Sequence, residues 1–240
     1  VLFRSVQVRL DGDNLTIDDS RAIRLTVKEN IPVMLVNGKP ANDPYERATE
    51  WLSDALNPFQ GTSIPGFVSV RPKVISESQF ADASLGDMGL YDCVFLCDLP
   101  RLGVAEVRRL EAHLRRGGGL VISLGDKVDI EAYNRLLYNN GEGLMPGRLL
   151  GKQAAPADRA FTMFADDQTF RQEPLLAFGD ERDRTSLLGV RFKQYIRTSL
   201  PPRGGARKVF SFLNESKPSL TKSPSPDLAN KSKTNNQGKA

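Results

Sequence analysis

A single histidine, His113, two cysteines, Cys93 and Cys97, and a serine closing an apolar run, Ser123, are the residues through which this chain could run nucleophilic chemistry. A serine nucleophile needs an imidazole within hydrogen-bond reach. His113 lies ten residues before Ser123, beside the apolar stripe of a helix, where a structural or surface role suits it better. The cysteines stand four apart in YDCVFLCD. On a strand that spacing is about 13 Å, too far for a disulfide or a shared metal, so they read as two small buried hydrophobes. Asp11, Asp13, Asp18 and Asp19 crowd DGDNLTIDDS and invite a calcium reading. Leu15 and Thr16 stand where an oxygen ligand and the turn glycine belong, and no Glu closes the loop, so a solvated turn is expected. No metal or cofactor is expected anywhere in the chain.

The elements that must position these residues alternate between strand and helix. IPVMLVNG is an unbroken apolar run ending in Asn37-Gly38, as in a buried parallel strand. Asp43-Pro44-Tyr45-Glu46 carries an N-cap, a first-turn Pro and a capping-box Glu, predicting a helix with Tyr45, Ala48, Leu52, Ala55 and Leu56 on one face. FVSVRPKVI is a second strand candidate, although Pro72 demotes its middle or places it near an edge. LYDCVFLCDLP is a third. Val104, Val107, Leu110 and Leu114 then form a helical stripe closed by Arg115-Arg116 and three glycines. The strand LVISLG follows, then a helix from about Asp129 with Ile130, Tyr133, Leu136 and Leu137 inward. Such alternation gives an α/β fold with a mostly parallel sheet covered on both faces, in a flavodoxin-like order. Beyond Gly143 the pattern loosens into loops, and VRFKQYIRT and ARKVFSFLN, joined by Pro-Pro-Arg-Gly-Gly, suggest a late hairpin.

Ahead of this region, Val6–Leu10 and Ala22–Val27 alternate as two strands of a small β unit whose other strands would precede the chain. VLFRS at 1–5 resembles what the end of a sequencing adapter encodes and is set aside, and both ends read as cut. Residues 215–240, rich in Ser, Lys, Pro and Asn, are expected to be disordered. The 240 residues hold 33 Lys+Arg and 29 Asp+Glu, a net charge of +4. Five Lys against two acids put +3 of that in the last 26 residues, leaving the rest nearly neutral. Nucleic acid is therefore not the expected partner. No run approaches the ~18 apolar residues of a membrane span.

IPVMLVNGKP together with LYDCVFLCDLPRLGVAEVRRLEAHLRRGGGLVISLGDKVDIEAYN resembles a class I glutamine amidotransferase-like domain. The likeness is to copies carried in bacterial aerotolerance-type membrane proteins with an N-terminal pair of transmembrane segments and a von Willebrand factor A domain. GLMPGRLLG, FTMF, LLGVRFKQYIRT and KVFSFLNESKPSL fit the same layout, so the resemblance spans roughly residues 6 to 220. It implies a three-layer α/β/α sandwich over 30–214, the end of an Ig-like β segment over 1–29, and the tail over 215–240. It also implies membrane attachment through the parent protein, with the extracytoplasmic side preferred, protein partners, and a chain that is itself soluble.

Active members resemble one another in a Cys on a strand-to-helix elbow and a His–Glu pair further along. The elbow after LVISLG offers Ser123, Leu124, Gly125 and Asp126, Val121 stands where a flanking glycine would be needed, and no His follows residue 113. The expectation is therefore a non-catalytic interaction or ligand-sensing module. Two alternatives stay open: a hydrolase using Ser123 or Asp126, and a receiver-like phosphoacceptor at Asp98. The second lacks the acidic pair after the first strand, where Asn37-Gly38-Lys39 stands, and has Pro100 two residues past the Asp instead of four. Any ligand crevice is expected at the carboxyl ends of the strands, from Asn37, Gly38, Asp98, Ser123, Gly125 and Asp126.

Overall fold

In the computed structural model, residues 2–9, 20–59, 69–82, 84, 86–173, 175–201 and 205–213 are described. The chain divides into two compact units, Val1–Ala155 with Lys193–Lys208, and Pro156–Phe192 with Val209–Ala240. The acidic run at 11–19 and the tail from 214 onward lie outside the described residues.

The first unit is organised by a four-stranded parallel sheet of β3 (Asn30–Asn37), β4 (Ser69–Ser76), β5 (Cys93–Cys97) and β6 (Gly119–Ser123), in the order β4-β3-β5-β6. Strands buried on both faces carry continuous apolar runs, and β3 and β5 are such runs, with Val33, Met34, Leu35, Val36, Val94 and Leu96 buried. β4, which carries Pro72, takes an edge, where a missing N–H costs no ladder bond. The crossovers carry α1 (Glu50–Leu56), α2 (Glu77–Ala81) and α3 (Val104–Arg115), and this arrangement makes the unit α/β. Ser76 starts α2 with a reciprocal capping box: its Oγ accepts from Gln79 N at 3.2 Å while Gln79 Oε1 accepts from Ser76 N at 2.9 Å. α3 stops at Gly117, whose φ of +90° suits glycine. α4 (Ile130–Tyr133) is capped by Asp129 and runs into a π-helical turn over Asn134–Tyr138. One core joins these elements: Met34, Val36, Val94 and Leu96 of the sheet meet Phe80, Val107, Leu110, Tyr133 and Leu137.

A β hairpin of β1 (Leu2–Arg9) and β2 (Ser20–Val27) precedes the sheet, with Val6 opposite Ile23. Residues 2–5 of the adapter-like string lie in β1. After α4, β7 (Arg148–Ala154) pairs antiparallel with β10 (Gln194–Ser199), with a register shift between Arg197 and Thr198. The second unit holds β8 (Phe161–Phe164), α5 (Glu181–Leu188), β9 (Arg191–Phe192) and β11 (Ser211–Leu213), its sheet ordered β11-β8-β9 and antiparallel.

Two local expectations are corrected. The helix predicted from Asp43 is interrupted. Asp43 Oδ1 does accept from Tyr45 N at 3.0 Å, but only a 3-10 turn over Pro44–Glu46 follows. Arg47 then turns extended (φ −71°, ψ 146°) and its Nε donates to Ala41 O at 3.0 Å, so the helix restarts at Glu50 and Tyr45 stays exposed. The late hairpin is not formed either. VRFKQYIRT divides at Lys193 between β9 and β10, and its pieces and β11 find partners in β7 and β8, strands that form in the stretch read as loops. Alternation marks a residue run as a strand without naming its neighbour.

Candidate functional site

Parallel register brings three strand ends together: Asn37 is paired with Cys97, and Cys97 with Ser123. The turns leaving β3, β5 and β6 therefore emerge side by side, and the chain switches direction across the sheet between β3 and β5. That is the place where open α/β sheets collect ligands.

The backbone closes tightly here. Gly38 N donates to Cys97 O at 2.9 Å and Asp98 N to Ser123 O at 3.0 Å. A Cβ on Gly38 would lie 2.2 Å from Asp98 O, so only glycine permits the approach. Asp98 itself sits at φ +51°, a left-handed conformation that Asp tolerates better than most residues. Its side chain is pressed against Gly125, where a Cβ would fall 2.3 Å from the carboxyl carbon. The segment beyond is tied down as well, with Tyr133 Oη donating to Leu99 O and Asp129 N to Pro100 O, both at 2.8 Å.

Asp98 is only 6% exposed. Lys127 N donates to its Oδ1 at 3.0 Å, and the Asp126 carboxyl lies within hydrogen-bonding reach of the Asp98 carboxyl. Burial comes first and the Asp126 partner second in pushing the Asp98 carboxyl above the ordinary range, while accepting from Asp98 holds Asp126 below it. Lys39 Nζ lies 3.9 Å from Asp126 Oδ1, and Lys152 Nζ donates to Asp126 O. Asn37 turns back on its own loop, its Oδ1 accepting from Lys39 N at 3.0 Å. The arrangement can hold one proton between two carboxyls and present two ammonium groups beside them.

All six residues expected at the crevice meet at this edge. Ser123 is exposed, and among the described residues its hydroxyl has no hydrogen-bond partner. His113 is elsewhere: it is 1% exposed, with Nε2 3.2 Å from Gly119 O at the opposite end of β6, and Gly118 makes room for its ring. Four residue steps along the strand separate Gly119 from Ser123, roughly 13 Å. Cys93 and Cys97 are free, and burial pushes the Cys97 thiol up to about 11. Among the described residues no three metal-ligating side chains cluster. None of the helices described is long and apolar enough to cross a membrane.

Lys39, Lys127 and Lys152 were not singled out from sequence. The first two carried a signal, since each directly follows a strand-end turn; Lys152 arrives from β7 and had none. Comparison with protein-family models, with curated proteins and with solved structures finds no match.

Proposed function

We propose that this chain is a non-catalytic, amidotransferase-like module, serving interaction or ligand sensing within a larger membrane-anchored bacterial cell-envelope protein. The observation that carries the reading is the separation of the only imidazole in the sequence from the strand-end serine: His113 packs at the start of β6 and Ser123 ends it. The imidazole that takes the nucleophile's proton in an amidotransferase-like triad is therefore out of reach of Ser123.

The wider assignment is supported by sheet order. Numbered within the parallel sheet, the strands run 2-1-3-4, the first four positions of the flavodoxin-like order. α2, α3 and the α4 region share the core described above, as one helical layer of a three-layer sandwich would. The β1–β2 hairpin is the portion we assign to an Ig-like segment. The crevice of Asn37, Gly38, Asp98, Ser123, Gly125 and Asp126 is then a recognition surface whose proton-sharing pair replaces catalytic machinery.

The test is ammonia release from glutamine by the purified chain. The expected rate equals the protein-free blank and is unchanged by Ser123→Ala. Turnover that disappears in the Ser123→Ala variant would contradict the reading.

A further inference from the structure

α4 does not end as an ordinary α-helix ends. It widens into the π-helical turn Asn134–Tyr138, closed by Asn139 N donating to Asn134 O five residues back. Single π-helical turns concentrate at functional sites. Three left-handed residues then follow in succession, Asn139 (φ +44°), Asn140 (φ +56°) and Gly141 (φ +97°). Asn accepts that conformation more readily than most residues, but a run of it must be held by its surroundings. Gly143 N donating to Tyr138 O at 3.1 Å and Met145 N donating to Leu137 O at 2.8 Å do the holding. Asn134 spends its amide on one residue of β7: Oδ1 accepts from Leu149 N and Nδ2 donates to Leu149 O, both at 2.8 Å. That clip brings Arg148, at the start of β7, beside Arg135 of the π turn.

A polar pocket of about 500 Å³ is built on this turn, lined by Glu131, Asn134, Arg135, Tyr138, Asn140 and Arg148. The volume lies within the ~300–1,000 Å³ of formed ligand sites, and none of the six residues belongs to the strand-end crevice. Among the described residues, the guanidinium groups of Arg135 and Arg148, the Tyr138 hydroxyl and the Asn140 amide have no hydrogen-bond or ion-pair partner. Glu131 stands four residues before Arg135, a spacing that favours helical ion pairs, yet its carboxylate is unpaired among them too. The pocket thus gathers two unspent guanidinium groups against one carboxylate.

We propose that this pocket binds a small phosphate monoester that also carries hydroxyl groups, such as a phosphorylated polyol. Guanidinium groups match phosphate oxygens in bidentate pairs. A phosphate monoester is close to a dianion at neutral pH, so one group answers both arginines, which a single carboxylate would not. The pocket is larger than a bare phosphate needs. Glu131 and Asn140 remain to accept from and donate to hydroxyls, and Tyr138 offers one more donor. The nearly neutral charge of residues 1–214 gives a nucleic-acid backbone no wider field to follow. The site is independent of the proton-sharing residues and stands whether or not the chain turns glutamine over.

The test titrates the full chain with glycerol 3-phosphate at constant ionic strength, reading the backbone amide NMR shifts of Asn140 and Leu149. Saturation with a Kd of about 1 mM is expected for a ligand of this size in an open pocket. Arg135→Gln and Arg148→Gln should each weaken binding by about tenfold or more. Both side chains are exposed and unpartnered among the described residues, so the variants keep the fold. Arg108→Gln, on the exposed side of α3, should leave the affinity unchanged. Shifts that do not saturate by ~20 mM overturn the proposal. So does equal affinity for sulfate, which would show that charge alone is read, and so does equal weakening by Arg108→Gln.

Discussion

Asp98 is the residue on which the crevice turns, because its position is enforced from every side. Gly38 approaches its carbonyl, Gly125 its carboxyl, and Lys127 N–H one of its oxygens. Gly38→Ala places a methyl group 2.2 Å from a backbone oxygen that cannot rotate away, so a loss of about 2–3 kcal/mol is expected. Urea unfolding checks this, and an unchanged midpoint would contradict it. The pH dependence follows from the two opposed shifts. Asp98, raised in the folded chain, contributes stability below the ordinary carboxylate range and loses it as pH rises through its folded value. Asp126, lowered, contributes above the ordinary range and loses it as pH falls through its own folded value. The two titrate as a pair. In Asp98→Asn the amide keeps a donor toward Asp126 and an acceptor for Lys127 N–H, tolerates the left-handed backbone, and cannot ionise. The variant should therefore gain on the wild type as pH rises from about 4 to about 8. A difference in midpoint that stays constant over that range would show that no proton is held there.

Among the elements, those legible in the sequence were the ones whose signal is local. β3 and β5 announced themselves as apolar runs, α3 by its 3.6-residue stripe and Gly117 terminator, and α4 by Asp129. The cap of α4 is real: Asp129 Oδ1 accepts from both Glu131 N and Ala132 N at 3.1 Å. Asp129→Ala should cost about 1 kcal/mol, read as a lower thermal midpoint with the fold retained; no change would mean that the helix start does not depend on this cap. The helix expected from Asp43 does not continue because its start signals are satisfied by one 3-10 turn, after which the Arg47–Ala41 bond redirects the chain. His113 shows the opposite lesson. Its place beside an apolar stripe leaves a structural or a surface role open, and the structure decides for the first: a buried ring bonded to Gly119 O, with Gly118 bare beneath it. His113→Ala should cost about 2–3 kcal/mol through the cavity and the lost bond, measured by urea unfolding. A neutral variant would deny the ring its structural part.

At the scale of the whole molecule, what the sequence left hidden was pairing. β7 and β8 supply partners to residues 29 or more positions away, and nothing in VRFKQYIRT says that it will be divided between β9 and β10. The crevice was half legible for the same reason. Six strand-end residues could be placed at one edge from parallel topology alone, yet the coupling of Asp98 to Asp126 depends on turn geometry that Gly38 and Gly125 make possible only in three dimensions. The central claim is that this scaffold holds no nucleophile–base pair at the strand-end elbow. Its most direct test is intact-mass analysis of the folded chain after incubation with a glutamine analogue carrying a diazoketone, which alkylates an activated nucleophile. The account predicts an unmodified mass with the native chain, whereas one stoichiometric adduct mapped to Ser123 would contradict it.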